Sequence, residues 1–170
     1  MTANQSCKPL EAPEIHHLRA AEGWLELKNH TEANEELKRI GLEWRFHAEV
    51  LATRWKIYAM ARHWEFAHTI AHGMTALYPE QPEGWMYRSI ALHEMKRTCE
   101  AWHSLFPATD KFRGNAEVCL LMARFSCQLG RMDEANAWLQ QAMKNGDKKT
   151  VKLEAMEEPD LFPLWEQVQK

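Results

Sequence analysis

Apolar residues recur along this chain at helical spacing. Between His47 and Ala61, the residues Val50, Leu51, Ile57, Tyr58 and Ala61 recur at three, four and seven, which marks one face of an amphipathic helix. A polar pair, Arg62-His63, interrupts the pattern, which resumes at Trp64, Phe66, Ala67, Ile70 and Ala71. Corresponding breaks are Lys28-Asn29-His30, Lys96-Arg97 and Gly130-Arg131. Connections this short force consecutive helices to lie antiparallel. No stretch keeps the strict two-residue alternation of a half-buried strand, so the pattern predicts an all-α chain built of helix pairs.

The pairs repeat. Ala33, Ala67, Ala101 and Ala135 stand 34 residues apart, and so do Ala21, Trp55, Ser89 and Ala123. Leu37, Ala71, Leu105 and Leu139 form a third column; Ile40, Met74, Ala108 and Ala142 form a fourth. Trp44, Tyr78 and Phe112 keep the same interval. Four units, 14–47, 48–81, 82–115 and 116–149, fit without a gap. Small residues in a column let two helix backbones approach while larger neighbours fill the flanks. Trp55 breaks its column, so the second unit must pack more loosely there or bury the indole elsewhere. Pro107 falls inside a second helix, where its ring opposes the carbonyl of His103, and predicts a kink or an early stop.

A 34-residue helix–turn–helix unit with these columns resembles the tetratricopeptide repeat (TPR) family. The matching residues are Leu51, Tyr58, Ala67 and Pro79 in the second unit and Trp85, Ala101 and Ala108 in the third. In the fourth they are Ala123, Gly130, Ala135 and Ala142. The phrase Gly23-Trp24-Leu25-Glu26-Leu27, followed by Thr31-Glu32-Ala33-Asn34-Glu35, resembles a first repeat of bacterial members. The resemblance implies a right-handed α-solenoid of antiparallel helix pairs, a TPR-like superhelix, acting as a protein–protein interaction scaffold. A stacked array also needs a cap on its last apolar face. Residues 150–158 are expected to form a ninth helix with Val151, Leu153 and Met156 as apolar contacts, and 158–165 a tail laid over the end, within a terminal segment 150–170. Residues 1–13 are expected to be flexible.

Composition narrows the partners. A net charge of −3 argues against a nucleic-acid binder, which carries a basic surplus. No apolar run reaches the length of a membrane span, and no secretory signal opens the chain. Four cysteines without a paired framework point to a reducing cytoplasm. Eight Trp and nine Met mostly occupy packing columns, as apolar mass for thin helical layers.

Catalytic constellations are missing from the sequence: it contains no GxSxG, P-loop, GxGxxG, HExxH or CxxC pair. His68 and His72 stand at i,i+4 and carry the rival reading, a metal-dependent enzyme or sensor, with Glu65 as a poor third ligand. Their columns are mostly polar, the mark of a solvated face. No cofactor and no enzymatic activity are expected.

The resemblance places a ligand against the first helix of each pair. Helical phase then assigns Glu22, Lys56, Ile90 and Arg124 to one row of the groove, and Glu26, Met60, Glu94 and Gln128 to another. Met86 and His93 come from the two flanking rows, and Glu49, Glu83 and Glu117 edge the groove. The candidate contacts are Glu22, Glu26, Lys56, Met60, Met86, Ile90, His93 and Arg124. Positions that would hold a terminal carboxylate carry glutamate, so a basic or amphipathic peptide or partner helix fits better. A small bacterial secretion-type chaperone is the alternative, since members of this size hold client segments and often form homo-oligomers.

Overall fold

The computed structural model describes residues 9–165, and all the regular structure among them is helical. Eight α-helices form the four predicted pairs. They are α1 (Glu14–Glu26) with α2 (His30–Lys38), α3 (Ala48–Met60) with α4 (Trp64–Leu77), α5 (Pro82–Glu94) with α6 (Thr98–Lys111), and α7 (Ala116–Gln128) with α8 (Met132–Asn145). A ninth helix, α9 (Lys148–Glu157), and a 3-10 segment, Pro159–Leu164, follow. The chain divides into two compact units, one ending at Tyr87 and the other beginning at Arg88.

All four first helices end the same way. Lys28, Arg62, Lys96 and Gly130, spaced by 34, adopt φ of 59°, 58°, 65° and 74°. In each case this residue donates its N–H three residues back, and the next residue donates five back: Lys28 to Leu25 and Asn29 to Trp24, for example, both at 2.9 Å. This is the Schellman arrangement, which satisfies carbonyls the helix end would otherwise orphan. The turn dictates where each second helix starts. Asn29 additionally caps α2 by accepting from the Glu32 N–H, and Asn115 caps α7 by accepting from the Val118 N–H.

The repeating alanines do what their spacing requires. Ala33, Ala67, Ala101 and Ala135 are wholly buried. In unit 1, Leu18, Ala21, Leu25, Ala33, Leu37, Ile40, Val50 and Ile57 form one core, and Leu10 joins it. Part of the leading segment expected to be flexible is therefore packed; residues 1–8 lie outside the described part. Trp55 resolves its misfit by stacking on Tyr87, with ring centroids 4.1 Å apart and planes 7° apart. Gly84 of α5 meets α4 so closely that a Cβ there would lie 2.9 Å from the Thr75 backbone nitrogen.

In unit 2, Ala123, Cys127, Ala135, Leu139, Ala155, Leu161 and Leu164 share a core. Two details differ from expectation here. The helix does not stop early at Pro107, since α6 runs on to Lys111. Both Pro107 and His103 are exposed, so water can reach this turn, where the proline supplies no N–H to the ladder. The capping helix buries Val151 as expected, but pairs it with Ala155, whereas Leu153 and Met156 are 60% and 40% exposed. The i,i+4 pair faces the core, and the two larger residues sit off that phase. Leu161 and Leu164 of the 3-10 segment supply the bulk instead.

Candidate functional site

The residues expected to meet a partner fall into contrasting surroundings. In unit 1, Glu26, Lys56 and Met60 are exposed, and Glu22 is half-buried and paired with Arg19 at 2.8 Å. Met86 is buried. In unit 2, Ile90 is half-buried, His93 is buried, and the Arg124 side chain keeps 13% of its surface.

A cleft of about 550 Å³ opens on unit 1. Its lining includes Ala52 and Met74, beside Glu49, Glu80 and Glu83, and among the described residues no lysine or arginine lines it. Glu49 and Glu83 occupy the first turns of α3 and α5, where a carboxylate complements the helix dipole. The same placement aims two negative charges at the cleft mouth. Lys56 lies seven residues, about two turns, beyond Glu49 on α3 and does not line it. Glu80 was not among the sequence candidates, because it sits in the connection 78–81 rather than in a helical row.

Unit 2 presents a cationic site already engaged by the chain itself. Arg124 donates from Nε to Asp160 Oδ2 at 2.6 Å. Its Nη2 donates to Glu94 Oε1, and its Nη1 pairs with Glu158 Oε2, each at 3.3 Å. His93 Nε2 meets the same Asp160 Oδ2 at 2.9 Å, while Nδ1 meets Thr98 Oγ1 at 3.0 Å. Gln128 Nε2 donates to the Asp160 carbonyl at 3.0 Å. The imidazole of His93 also lies 5.2 Å from the Phe125 ring. Three of the expected groove positions on α5 and α7 therefore converge on one aspartate of the 3-10 segment. Partial burial pushes the Asp160 carboxyl up, but the hydrogen bonds and charges of Arg124 and His93 outweigh it and hold the group below its ordinary value. Burial, reinforced by Asp160, pushes the Cys127 thiol up.

His93 and Arg124 were expected to face a partner, and the structure commits them to this internal network. The sequence carried one signal for it: Glu158-Pro159-Asp160 places two carboxylates after the last helix, opposite a row whose only cation in unit 2 is Arg124. His68 and His72 stack with ring centroids 6.5 Å apart. Among the described residues, no group of three or more His, Cys, Asp or Glu side chains is placed to hold a metal ion. Among those residues, no helix is long and apolar enough to cross a membrane.

No family model matches the chain, and no curated protein matches it. Solved structures do. TTC0263, a thermophilic TPR protein of Thermus thermophilus, is 15% identical with a TM-score of 0.72, over 84% of this chain and 79% of that one. PilF of Pseudomonas aeruginosa is 16% identical with a TM-score of 0.68, over 91% of this chain and 72% of that one. MamA is 15% identical with a TM-score of 0.67, over 81% of both chains. The fold is of the TPR type. In TPR terms, α3 and α7 are first helices of their pairs, so the acidic cleft and the Arg124 network both sit on the helices that carry the repeat's candidate contacts.

Proposed function

We propose that this chain is a protein-interaction module that acts by binding, without a chemical step, and that unit 1 takes a basic or amphipathic protein segment. The observation that carries this reading is the cleft itself. It combines three carboxylates with apolar lining from Pro9, Ala52 and Pro82, and among the described residues no lysine or arginine lines it. Lysine or arginine on a partner would meet Glu49, Glu80 and Glu83, and an apolar neighbour would pack on Ala52 and Pro82. Charge complementarity of this kind sets partner choice and association rate more than raw affinity.

A panel of synthetic amphipathic peptides with equal apolar content and stepped net charge tests the reading by calorimetry. The expected result is tighter binding with each added Lys or Arg. Glu49→Lys with Glu83→Lys should weaken the best binder by about tenfold or more, the change expected when about 1.4 kcal/mol is lost. Affinity independent of peptide charge, or unaltered in the folded double variant, overturns it.

A further inference from the structure

We propose that unit 2 carries a second binding face, specific for a short acidic segment, and that residues 158–164 are its ligand in cis. Partner segments of the same chemistry, an aspartate followed by leucine-sized residues one and four positions later, would compete for it. This site is distinct from the unit 1 cleft and opposite in charge preference, so the two can fail separately.

The argument begins with what the segment does. A plain cap would need only Leu161 and Leu164, which close the apolar end of the core. The Pro159–Leu164 segment adds a polar anchor to that plug. Asp160 receives Arg124 and His93 on one carboxylate oxygen, and its backbone carbonyl accepts from Gln128. One side-chain carboxylate and one main-chain carbonyl are thus read together, by side chains projecting from first-helix positions. Recognition of a short segment works in this way, a main-chain contact fixing its register and side-chain contacts selecting its sequence.

The receptor half is balanced without its ligand's aspartate. Arg124 keeps Glu94, on α5, as its counter-charge within the receptor, and in the Asp160→Ala variant the segment's own Glu158 as well. His93 keeps Thr98 and lies against Phe125. Removing the Asp160 carboxylate therefore leaves no stranded buried charge in unit 2. The ligand half is short and held by few elements. It packs on α7 and α9, its Phe162 is exposed, and Trp165 donates to the Ala155 carbonyl at 3.1 Å. Tethering supplies the rest, because a segment joined directly to α9 acts at an effective concentration of about millimolar.

The probe is a fluorophore-labelled peptide copying residues 158–165, Glu-Pro-Asp-Leu-Phe-Pro-Leu-Trp. It is titrated against the whole protein and its Asp160→Ala variant, with anisotropy as readout. The wild-type chain should bind it weakly, since the cis segment holds the site. Asp160→Ala should bind it about tenfold tighter or better, the change that corresponds to about 1.4 kcal/mol of weakened cis contact. A control peptide with Asp replaced by Asn should lose that gain. A folded Asp160→Ala protein that binds no better than wild type overturns the proposal, as does equal binding of the Asn peptide. Should Asp160→Ala fail to fold, hydrogen exchange on the wild-type chain decides. The Leu161 amide, which donates to the Glu158 carbonyl, is expected to exchange faster than the amides of α7. Exchange of both at one common rate would show a permanent cap and overturn it.

Discussion

Lys56 and Arg124 occupy the same repeat position, 68 residues and two repeats apart, yet their circumstances are opposite. Lys56 projects into solvent beside an acidic cleft it does not enter. Arg124 is nearly enclosed and meets three carboxylates, Glu94, Glu158 and Asp160. The helices beneath them have the same length, 13 residues, and end in the same Schellman turn. The repeat therefore fixes backbone and packing but leaves the chemistry of the face free. What differentiates the two units is material from outside the repeating helices: a connection that brings Glu80 to one, and a 3-10 segment that brings Asp160 to the other.

The largest expected effect lies in that difference. Arg124→Ala leaves a cluster of half-buried carboxylates without their shared cation, and hydrogen bonds to charged groups contribute about 1.5–3 kcal/mol each. We expect a loss of about 3 kcal/mol in urea unfolding. Lys56→Ala, at the matching exposed position, should change stability by less than about 0.5 kcal/mol. Equal effects at the two sites would erase the contrast. Acid probes the same contact. Asp160 has its folded value held below the ordinary carboxylate value of about 3.9. Its contribution is therefore complete above that value and disappears as pH falls through the lower folded one. The stability difference between wild type and Asp160→Asn should be constant near neutrality and shrink in strong acid. A difference that stays flat down to the acid limit would show that the carboxylate's charge is not what Arg124 and His93 recognise.

Where the units are alike, equivalent changes should act alike. Ala33→Leu in unit 1 and Ala135→Leu in unit 2 both force a side chain into a fully buried column. Overpacking of this kind costs about 1–3 kcal/mol. Thermal melts should show both variants destabilised by about 2 kcal/mol. A tolerant Ala33 beside an intolerant Ala135 would mean that the repeat packs tightly in one unit only.

The fold was legible because its determinants are local and periodic. A column of alanines, a polar break and an amphipathic stripe can each be read from the periodicity of the chain alone. The Arg124 network was not legible in that way. Its acidic partners lie 30 residues before it and 34 and 36 residues after it, one of them on a 3-10 segment with no helical phase. Periodicity placed His93 and Arg124 on one face, and nothing periodic says that the chain itself returns to cover them. The capping helix was legible, and so was its contact Val151; Leu153 and Met156 were not, because they lie off the i,i+4 phase of Val151 and Ala155 that the helix buries. The Trp55 stack on Tyr87 likewise joins two helices across 32 residues, beyond any local window.

The smallest effect tests the element the two units share most closely. Lys28, Arg62, Lys96 and Gly130 all sit in the left-handed region, which only glycine enters without cost. A Cβ in that conformation costs about 1–2 kcal/mol, offset in part by glycine's greater freedom in the unfolded chain. Arg62→Gly in unit 1 and Lys96→Gly in unit 2 should therefore each stabilise by about 0.5–1 kcal/mol. Gly130→Ala should destabilise by about 1 kcal/mol, although open space surrounds the added methyl. Its cost would come from backbone conformation alone. Urea midpoints that rise for both glycine variants and fall for Gly130→Ala confirm one shared turn. A midpoint that falls for Arg62→Gly would instead assign that side chain a stabilising contact larger than its strain, and the four turns would be alike in geometry but not in energy.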